Sequence, residues 1–443
     1  MALLTRRQLR LLLPLGAALA LSLTGDSTLY AVLPNQLAVV GISLGAVGLM
    51  LGANRLVRIP GNLVAGALYD RQGRRRLFLA GLALGILSTL SYSIAHGFWP
   101  LLAARLLWGL AWSLINVGGY TMVLDWSTPA DRGRLTGFYQ VSYLVGLSIS
   151  PILGGLLTDT LGFAPAVRIC AAVSAVGLAV AWIALPETSP PAGARGQQRS
   201  AVLAEAPAAG RPDRSVQPCP RRALPAGQHT GLRWLRAARR GLGTVDRHLL
   251  LVGYVYLVVF FVSNGVLMST LSFYLGQRWG TEIAVGSVVI GVSSLAGLTL
   301  ALRAAVGILG GPVAGILSDR LGNRWPVARV AIVMGVVGFV AVALVADVRA
   351  VPVGVALVSL SAGSLVTVLT AIVGDLSGLG RSGRTMGGLA TAGDLGSALG
   401  PLLAYGAAAV WDLRWIYRFC AAALASCLLA TLGAKSGSQS TGS

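Results

Sequence analysis

The sequence predicts an all-α membrane protein, with twelve transmembrane helices in two pseudo-symmetric six-helix bundles. Composition is the first sign. Mean hydropathy is +0.74, and 55% of the 443 residues are hydrophobic against 11% charged, where soluble chains carry about 25% charged residues. The second sign is a series of apolar runs, each roughly 20 residues or longer and so able to cross a bilayer as a helix. An internal repeat is the third. GALYDRQGRRR begins at Gly66 and GILSDRLGNR at Gly315, an offset of 249 positions. On that offset Gly48, Leu49, Leu51 and Gly61 match Gly297, Leu298, Leu300 and Gly310. One position further on, Asp125, Ser127, Gly133, Arg134, Gly137, Gly146 and Pro151 match Asp375, Ser377, Gly383, Arg384, Gly387, Gly396 and Pro401. Arg168 and Cys170 match Arg418 and Cys420.

The runs follow in order. The first (9–33) comes after Arg6, Arg7 and Arg10. Its start mimics a secretory or twin-arginine export signal, but Asp26 lies inside it and the repeat needs it as the first of six spans. The second (44–69) ends on Arg71, Arg74, Arg75 and Arg76. HGFWP joins the third (76–96) to the fourth (100–124), which Arg132 and Arg134 follow. The fifth (135–157) is glycine-rich, and the sixth (164–185) ends at LPETSP. Residues 189–247 are rich in Pro, Gly, Ala and Arg without apolar periodicity, and read as a largely disordered cytoplasmic linker. Within it GLRWLRAARRGL (231–242) fits either a basic amphipathic helix on the inner leaflet or a solvated charge run. The second half repeats the series at 248–274, 286–317, 327–346, 351–374, 385–408 and 415–433, before a short polar tail. Its second run is over-long and is expected to include a non-spanning piece. The predicted organisation is therefore an N-terminal bundle (1–188), the linker (189–247) and a C-terminal bundle with the tail (248–443).

A formal charge of +20 raises the question of nucleic acid, and its distribution answers it. The basic loops alternate with loops nearly free of positive charge, such as NQLAVVGIS (35–43). Arg320, Arg324 and Arg329 repeat the pattern after the eighth run, and Arg381 and Arg384 after the tenth. This positive-inside pattern places both termini and the linker in the cytoplasm and argues for a lipid bilayer, not nucleic acid, as partner. Lysine occurs once (Lys435) among 35 basic residues, an arginine bias that fits a GC-rich bacterial genome and so the bacterial inner membrane. Cys170, Cys219, Cys420 and Cys427 form no framework and are expected as free thiols. His96, His229 and His248 are scattered, so neither a metal site nor a histidine-based triad is supported, and no enzyme is indicated.

Some motifs carry a resemblance. GALYDRQGRRR resembles the G-x-x-x-D-R-x-G-R-R-[RK] signature of the major facilitator superfamily. Asp70 would sit near a helix N-terminus, where the dipole stabilises a carboxylate, and act with Gly66, Arg71, Gly73 and Arg74 as a conformational switch. Gly66 would let a helix approach closely. The second copy, with Gly315, Asp319 and Arg320, departs from the signature: Asn323 replaces the first Arg of the pair and Trp325 the last. In the fifth run Gly137, Gly146, Ser150, Pro151, Gly154 and Gly155 are similar to the antiporter motif of the superfamily's drug–proton exchangers, with Ser150 in place of a Gly. Gly396, Gly400 and Pro401 echo it. A glycine stripe gives a smooth face for packing, and Pro151 can bend the helix. The resemblance implies two bundles rocking around a central cavity, a small-molecule substrate, a proton gradient as energy source, no cofactor and a monomer.

Ionisable groups inside the spans are costly and count as functional hypotheses. Asp26 resembles the first-helix Asp of vesicular monoamine transporters and tetracycline exporters, and Asp394 an eleventh-helix Asp of the former. Arg105 with Gly109 resembles the R-x-x-x-G motif tied to proton coupling. A buried carboxylate takes up a proton more readily, and a nearby Arg favours its release. Arg55, Arg58 and Arg303 are further cavity charges. At 1.5 Å per residue Arg58 lies about 18 Å and Arg55 about 22 Å from the Asp70 end of the helix, and Asp394 about 15 Å from Arg384. The expected function is proton-coupled export of cationic or amphipathic small molecules, with Asp26 and Asp394 facing the cavity. A transporter of organic anions or metabolites is the alternative, and a non-transporting membrane sensor the second.

Overall fold

In lipid, a backbone must satisfy its hydrogen bonds within the span, so apolar runs become helices. A computed structural model describes residues 5–127, 131–188, 247–285, 287–376 and 382–432. The linker region 189–246 with its 231–242 segment and Cys219, the tail beyond residue 432, and the side chains of Asp70 and of residues 382–387 lie outside the description.

The first half forms α1 (Arg6–Val32), α2 (Leu44–Arg71), α3 (Arg74–Tyr92), α4 (Phe98–Trp126), α5 (Arg132–Leu161) and α6 (Phe163–Ala184). The second forms α7 (Arg247–Trp279), α8 (Val292–Leu321), α9 (Arg324–Leu344), α10 (Val351–Leu376), α11 (Ser382–Ala408) and α12 (Leu413–Leu432). Nine of these are long and apolar enough by composition to cross a membrane. Of the other three, α2 and α11 carry Arg55, Arg58 and Asp394, polar groups that a cavity-facing helix can bear.

Two details depart from uniform helix. Phe260–Leu267 in the middle of α7 is a π-helical stretch. Before α8, β1 (Glu282–Val285) and β2 (Val288–Gly291) pair antiparallel, Ile283 opposite Ile290. That hairpin takes the start of the over-long eighth run, and the helix begins only at Val292.

The packing repeats between halves. α1 lies on α5 as α7 lies on α11; α2 on α4 as α8 on α10; α3 on α6 as α9 on α12. The two most extensive pairings between the halves are α2 with α11 and α5 with α8, and the repeat maps one onto the other. Glycines make these crossings close. A β-carbon on Gly48 would stand 2.5 Å from the Pro401 carbonyl oxygen, and one on Gly52 2.8 Å from that of Ala398. On Gly155 it would collide with the Ser293 carbonyl, and on Gly297 with that of Pro151. These contacts lie towards the end of the bundle that carries the β-hairpin. There Asn35 donates to Ser272 Oγ at 2.7 Å, and Asp159 accepts from the Ser294 amide at 2.7 Å. One buried cluster joins Leu29, Leu33 and Met50 to Val262, Leu271 and Leu275 at this end, whereas Leu15, Phe78, Ile115 and Met122 form a core of the first half alone.

Candidate functional site

Away from the hairpin end the halves enclose two adjoining cavities. One, of about 430 Å³, is lined by Arg55, Arg58, Asn62, Trp112, Tyr256 and Asp394 among others. The other, of about 500 Å³, is lined by Ser263, Asn264 and Arg303. Gln140, Tyr143 and Phe260 border both. The lining draws on α1, α2, α4, α5, α7, α8, α10 and α11, from both halves.

Behind this lining Asp26 holds a buried charge cluster together. Arg105 Nη1 donates to its Oδ1 at 2.7 Å, Asn54 donates to the same oxygen at 3.1 Å, and Arg58 lies 3.7 Å from Oδ2. Arg58 Nε also donates to Asn54 Oδ1 at 3.2 Å. The α2 spacing explains the pair, since positions four apart share a helix face. Rings cover the cations: Arg58 lies 5.2 Å from the Trp112 centroid and Arg105 5.7 Å from that of Tyr30, within cation–π range. Asp394 lines the cavity, whereas Asp26 is placed behind Arg58, outside the lining. On the far side Arg303 donates to the Ser263 carbonyl and hydroxyl, each at 3.2 Å, and to Asn264. Its partners all sit on the π-helical stretch, a feature frequent at functional sites.

The loop motif looks different from its sequence reading. A β-carbon on Gly66 would meet nothing within 4 Å, so close helix approach is not what that glycine provides. Gly315 is also roomy, its nearest neighbour being the Thr367 methyl at 3.7 Å. Arg71, Asp319 and Arg320 are exposed. At the start of α3, Glu187 from the LPETSP segment accepts from the Arg74 amide at 3.0 Å and abuts Gly73; the Asp70 side chain lies outside the description. Arg74 pairs with Asp125 at 3.0 Å. In the second half Arg324 pairs with Asp375 at 2.6 Å and with Asp319 at 3.1 Å. Arg324, not Asn323, is thus the structural counterpart of Arg74. Asn323 is an inserted residue that caps α9, accepting from the Trp325 amide at 3.1 Å. The repeat offset grows by one at this position.

In the glycine-rich helices, Gly146 and Gly154 of α5 seat α1 at Ala20 and Thr28, and Gly155 seats α8. Gly396 and Gly400 of α11 meet α7 at Leu257 and Gly265. Gly137 has open space around it and packs nothing. Pro151 and Pro401 offer their carbonyls to Gly297 and Gly48 across the halves. The uncharged residues Asn54, in the Asp26 cluster, and Asn62, Gln140 and Asn264, in the lining, escaped the sequence reading, which looked only at full charges; an amide inside an apolar run is the signal that would have found them.

The family model of the Major Facilitator Superfamily matches residues 15–302 and 290–440. The chain belongs to the major facilitator superfamily. It is a multi-pass membrane protein with a transporter fold. Among curated relatives, the inner membrane transport protein YajR of Escherichia coli is 24% identical over 176 residues, 40% of this chain and 38% of YajR. The chain spans only about a fifth to two fifths of the length of the curated relatives it matches. Among solved structures, a bacterial homologue of the human lysosomal transporter Spinster, inward-facing and occupied, superposes with a TM-score of 0.67 at 14% identity, over 95% of this chain and 93% of that one. The human organic anion transporter MFSD10 superposes at 0.60 with 20% identity, over 96% and 100%. At these identities the likeness concerns the superfamily's fold.

Proposed function

We propose that this protein is a secondary transporter of amphipathic organic anions, which enter the central cavity together with a proton held by Asp394. The charge balance of the lining carries the reading. Arg55, Arg58 and Arg303 face the cavity against one carboxylate, Asp394. Asp26 adds no free negative charge, because Arg105 and Arg58 bracket it. Charges count for more in a low-dielectric cavity than in water. Trp112, Tyr143, Tyr256 and Phe260 supply flat apolar contact for the body of a substrate.

Coupling follows from the same arrangement. With Asp394 protonated the lining is most positive and an anion binds best; with Asp394 ionised one positive charge is offset and the anion binds less tightly. Proton and anion therefore favour each other's binding, and linkage makes that reciprocal. This is the thermodynamics of symport. A solved structure of the same fold is that of a human organic anion transporter, so the fold itself is compatible with this substrate class. With the sidedness read from the arginine-rich loops, in the bacterial inner membrane with both termini cytoplasmic, the cavity lies on the cytoplasmic side of the closed hairpin end.

A second reading, export of cationic drugs in exchange for protons, has one specific observation. Asp394 is in no ion pair among the described residues and lines the cavity beside Tyr256 and Phe260, stacked at 4.6 Å. A cation there would compete with the proton, which yields antiport. The test is a panel of aromatic carboxylates, sulfonates and lipophilic cations in proteoliposomes with an imposed pH gradient. Anion accumulation that requires the gradient is expected. Gradient-driven movement of cations, with anions inert, would establish the second reading instead.

A further inference from the structure

Outside the central cavity, the arginine-rich end of the first half carries a groove of about 570 Å³. It lies between the start of α1, the end of α4 and the residues that close α6. Leu9, Leu13, Pro14 and Trp126 form its apolar lining, and Arg6 and Arg10 its cationic one. Leu13 is 64% exposed. The first turn of α1 contains no acidic residue. Nearby carboxylates are engaged elsewhere: Asp125 with Arg74 at 3.0 Å, Asp131 with the Gln8 amide at 2.6 Å, and Glu187 with the Arg74 backbone at 3.0 Å. Arg7 lies over the Trp126 ring, 5.3 Å from its centroid.

We propose that this groove binds an anionic phospholipid, with its phosphate on Arg6 and Arg10 and an acyl chain along Leu9, Leu13 and Pro14. Guanidinium groups match phosphate geometry, and basic pockets between membrane helices take anionic lipid headgroups. Trp126 sits where indole rings commonly mark the membrane interface. The positive-inside rule accounts for arginines at this end, but not for an apolar groove beneath them. A water-soluble anion would leave that apolar lining unused. The chain's own 189–246 segment is arginine-rich, with Arg221, Arg222, Arg239 and Arg240 among its cations, and is a poor electrostatic match. A second groove contains Arg75, Arg76, Leu79 and Trp182, but there Arg75 is tethered to the Trp182 carbonyl and is less free to turn to a headgroup.

Native mass spectrometry of the full chain in detergent, titrated with phosphatidylglycerol or phosphatidylcholine, tests the site. The wild type is expected to retain phosphatidylglycerol preferentially. Arg6→Gln with Arg10→Gln should weaken that retention about thirtyfold, about fivefold for each arginine near the headgroup. Leu13→Trp keeps both arginines and fills the groove, and should weaken retention with net charge unchanged. A wild type that does not distinguish the two lipids, or a preference that survives in both variants, overturns the proposal. Occupation of the groove by residues 189–246 or by a second copy of the chain would give the first of those results.

Discussion

Asp26 has more positive charge around it than one carboxylate can neutralise. Arg105 at 2.7 Å and Arg58 at 3.7 Å leave the cluster with a surplus cation, and Arg58 presents that surplus to the cavity. Breaking a buried ion pair from one side is costly because the remaining charge stays buried. Asp26→Asn, which strands both arginines, should therefore lower stability by about 3–5 kcal/mol. Asp26→Asn combined with Arg105→Gln should recover part of the loss, as thermal unfolding in detergent would show; no recovery would mean that the pair is not the unit that matters. Asp394 has no such partner, and its substitution should act on coupling instead. Asp394→Asn fixes the side chain in a neutral form, so anion binding should lose its pH dependence. In the wild type, binding should weaken as pH rises and Asp394 ionises. Uphill transport should disappear in the variant while exchange persists, a loss of up to about 2.3 kcal/mol of driving force per charge at 100 mV. Titrating substrate binding against pH in both proteins decides the matter. Full charges in apolar runs were legible in the sequence as candidates, but not their grouping: nothing in the string says that Asp26 turns towards Arg105 while Asp394 stays open.

Among the elements, the two loop motifs differ in how deeply their ion pairs are set. The Arg74 and Asp125 side chains are 9% and 19% exposed, against 26% and 61% for Arg324 and Asp375. Exposed pairs contribute about 0–1 kcal/mol and buried ones considerably more on breaking. Asp125→Asn should thus lower the unfolding temperature measurably, and Asp375→Asn by little; equal effects would show that depth does not set their strength. The span positions and the loop motifs could be read from apolar runs and repeated strings. The single-residue insertion at Asn323 was visible only as a mismatch, because a string comparison does not know where a helix begins. The hairpin before α8 and the π-helical stretch in α7 were hidden for another reason. Ile283, Val289 and Ile290 suit strand or helix equally, and a wide helical turn has no residue signature.

At the scale of the whole molecule, the repeat and the charges obey opposite rules. The loop aspartates, the arginines paired with them and the Gly-Pro positions recur in both halves. The cavity charges do not: Asp26, Arg55 and Arg58 face Leu275, Ala304 and Gly307 under the repeat offset of 249, Arg303 falls on Asn54, and Arg105 and Asp394 fall on Val355 and Leu144 under 250. The two halves share the frame, and the cavity charges are particular to one half or the other. Sidedness is also a whole-molecule property. A cytoplasmic reporter fused after Ser200 or at the C-terminus should be active, and a periplasmic reporter at the same places silent; the reverse would invert every assignment of inside and outside. The seam that closes the hairpin end has a further consequence. At Gly48, Gly52, Gly155 and Gly297 backbone meets backbone beside a buried apolar cluster, and among the described residues no salt bridge joins the halves. Parting there surrenders mainly short-range dispersion, with few ion pairs to rupture. A seam of this kind is shallow and brittle: it yields within a fraction of an ångström of separation, so the closed form should let go all at once instead of sliding open by degrees.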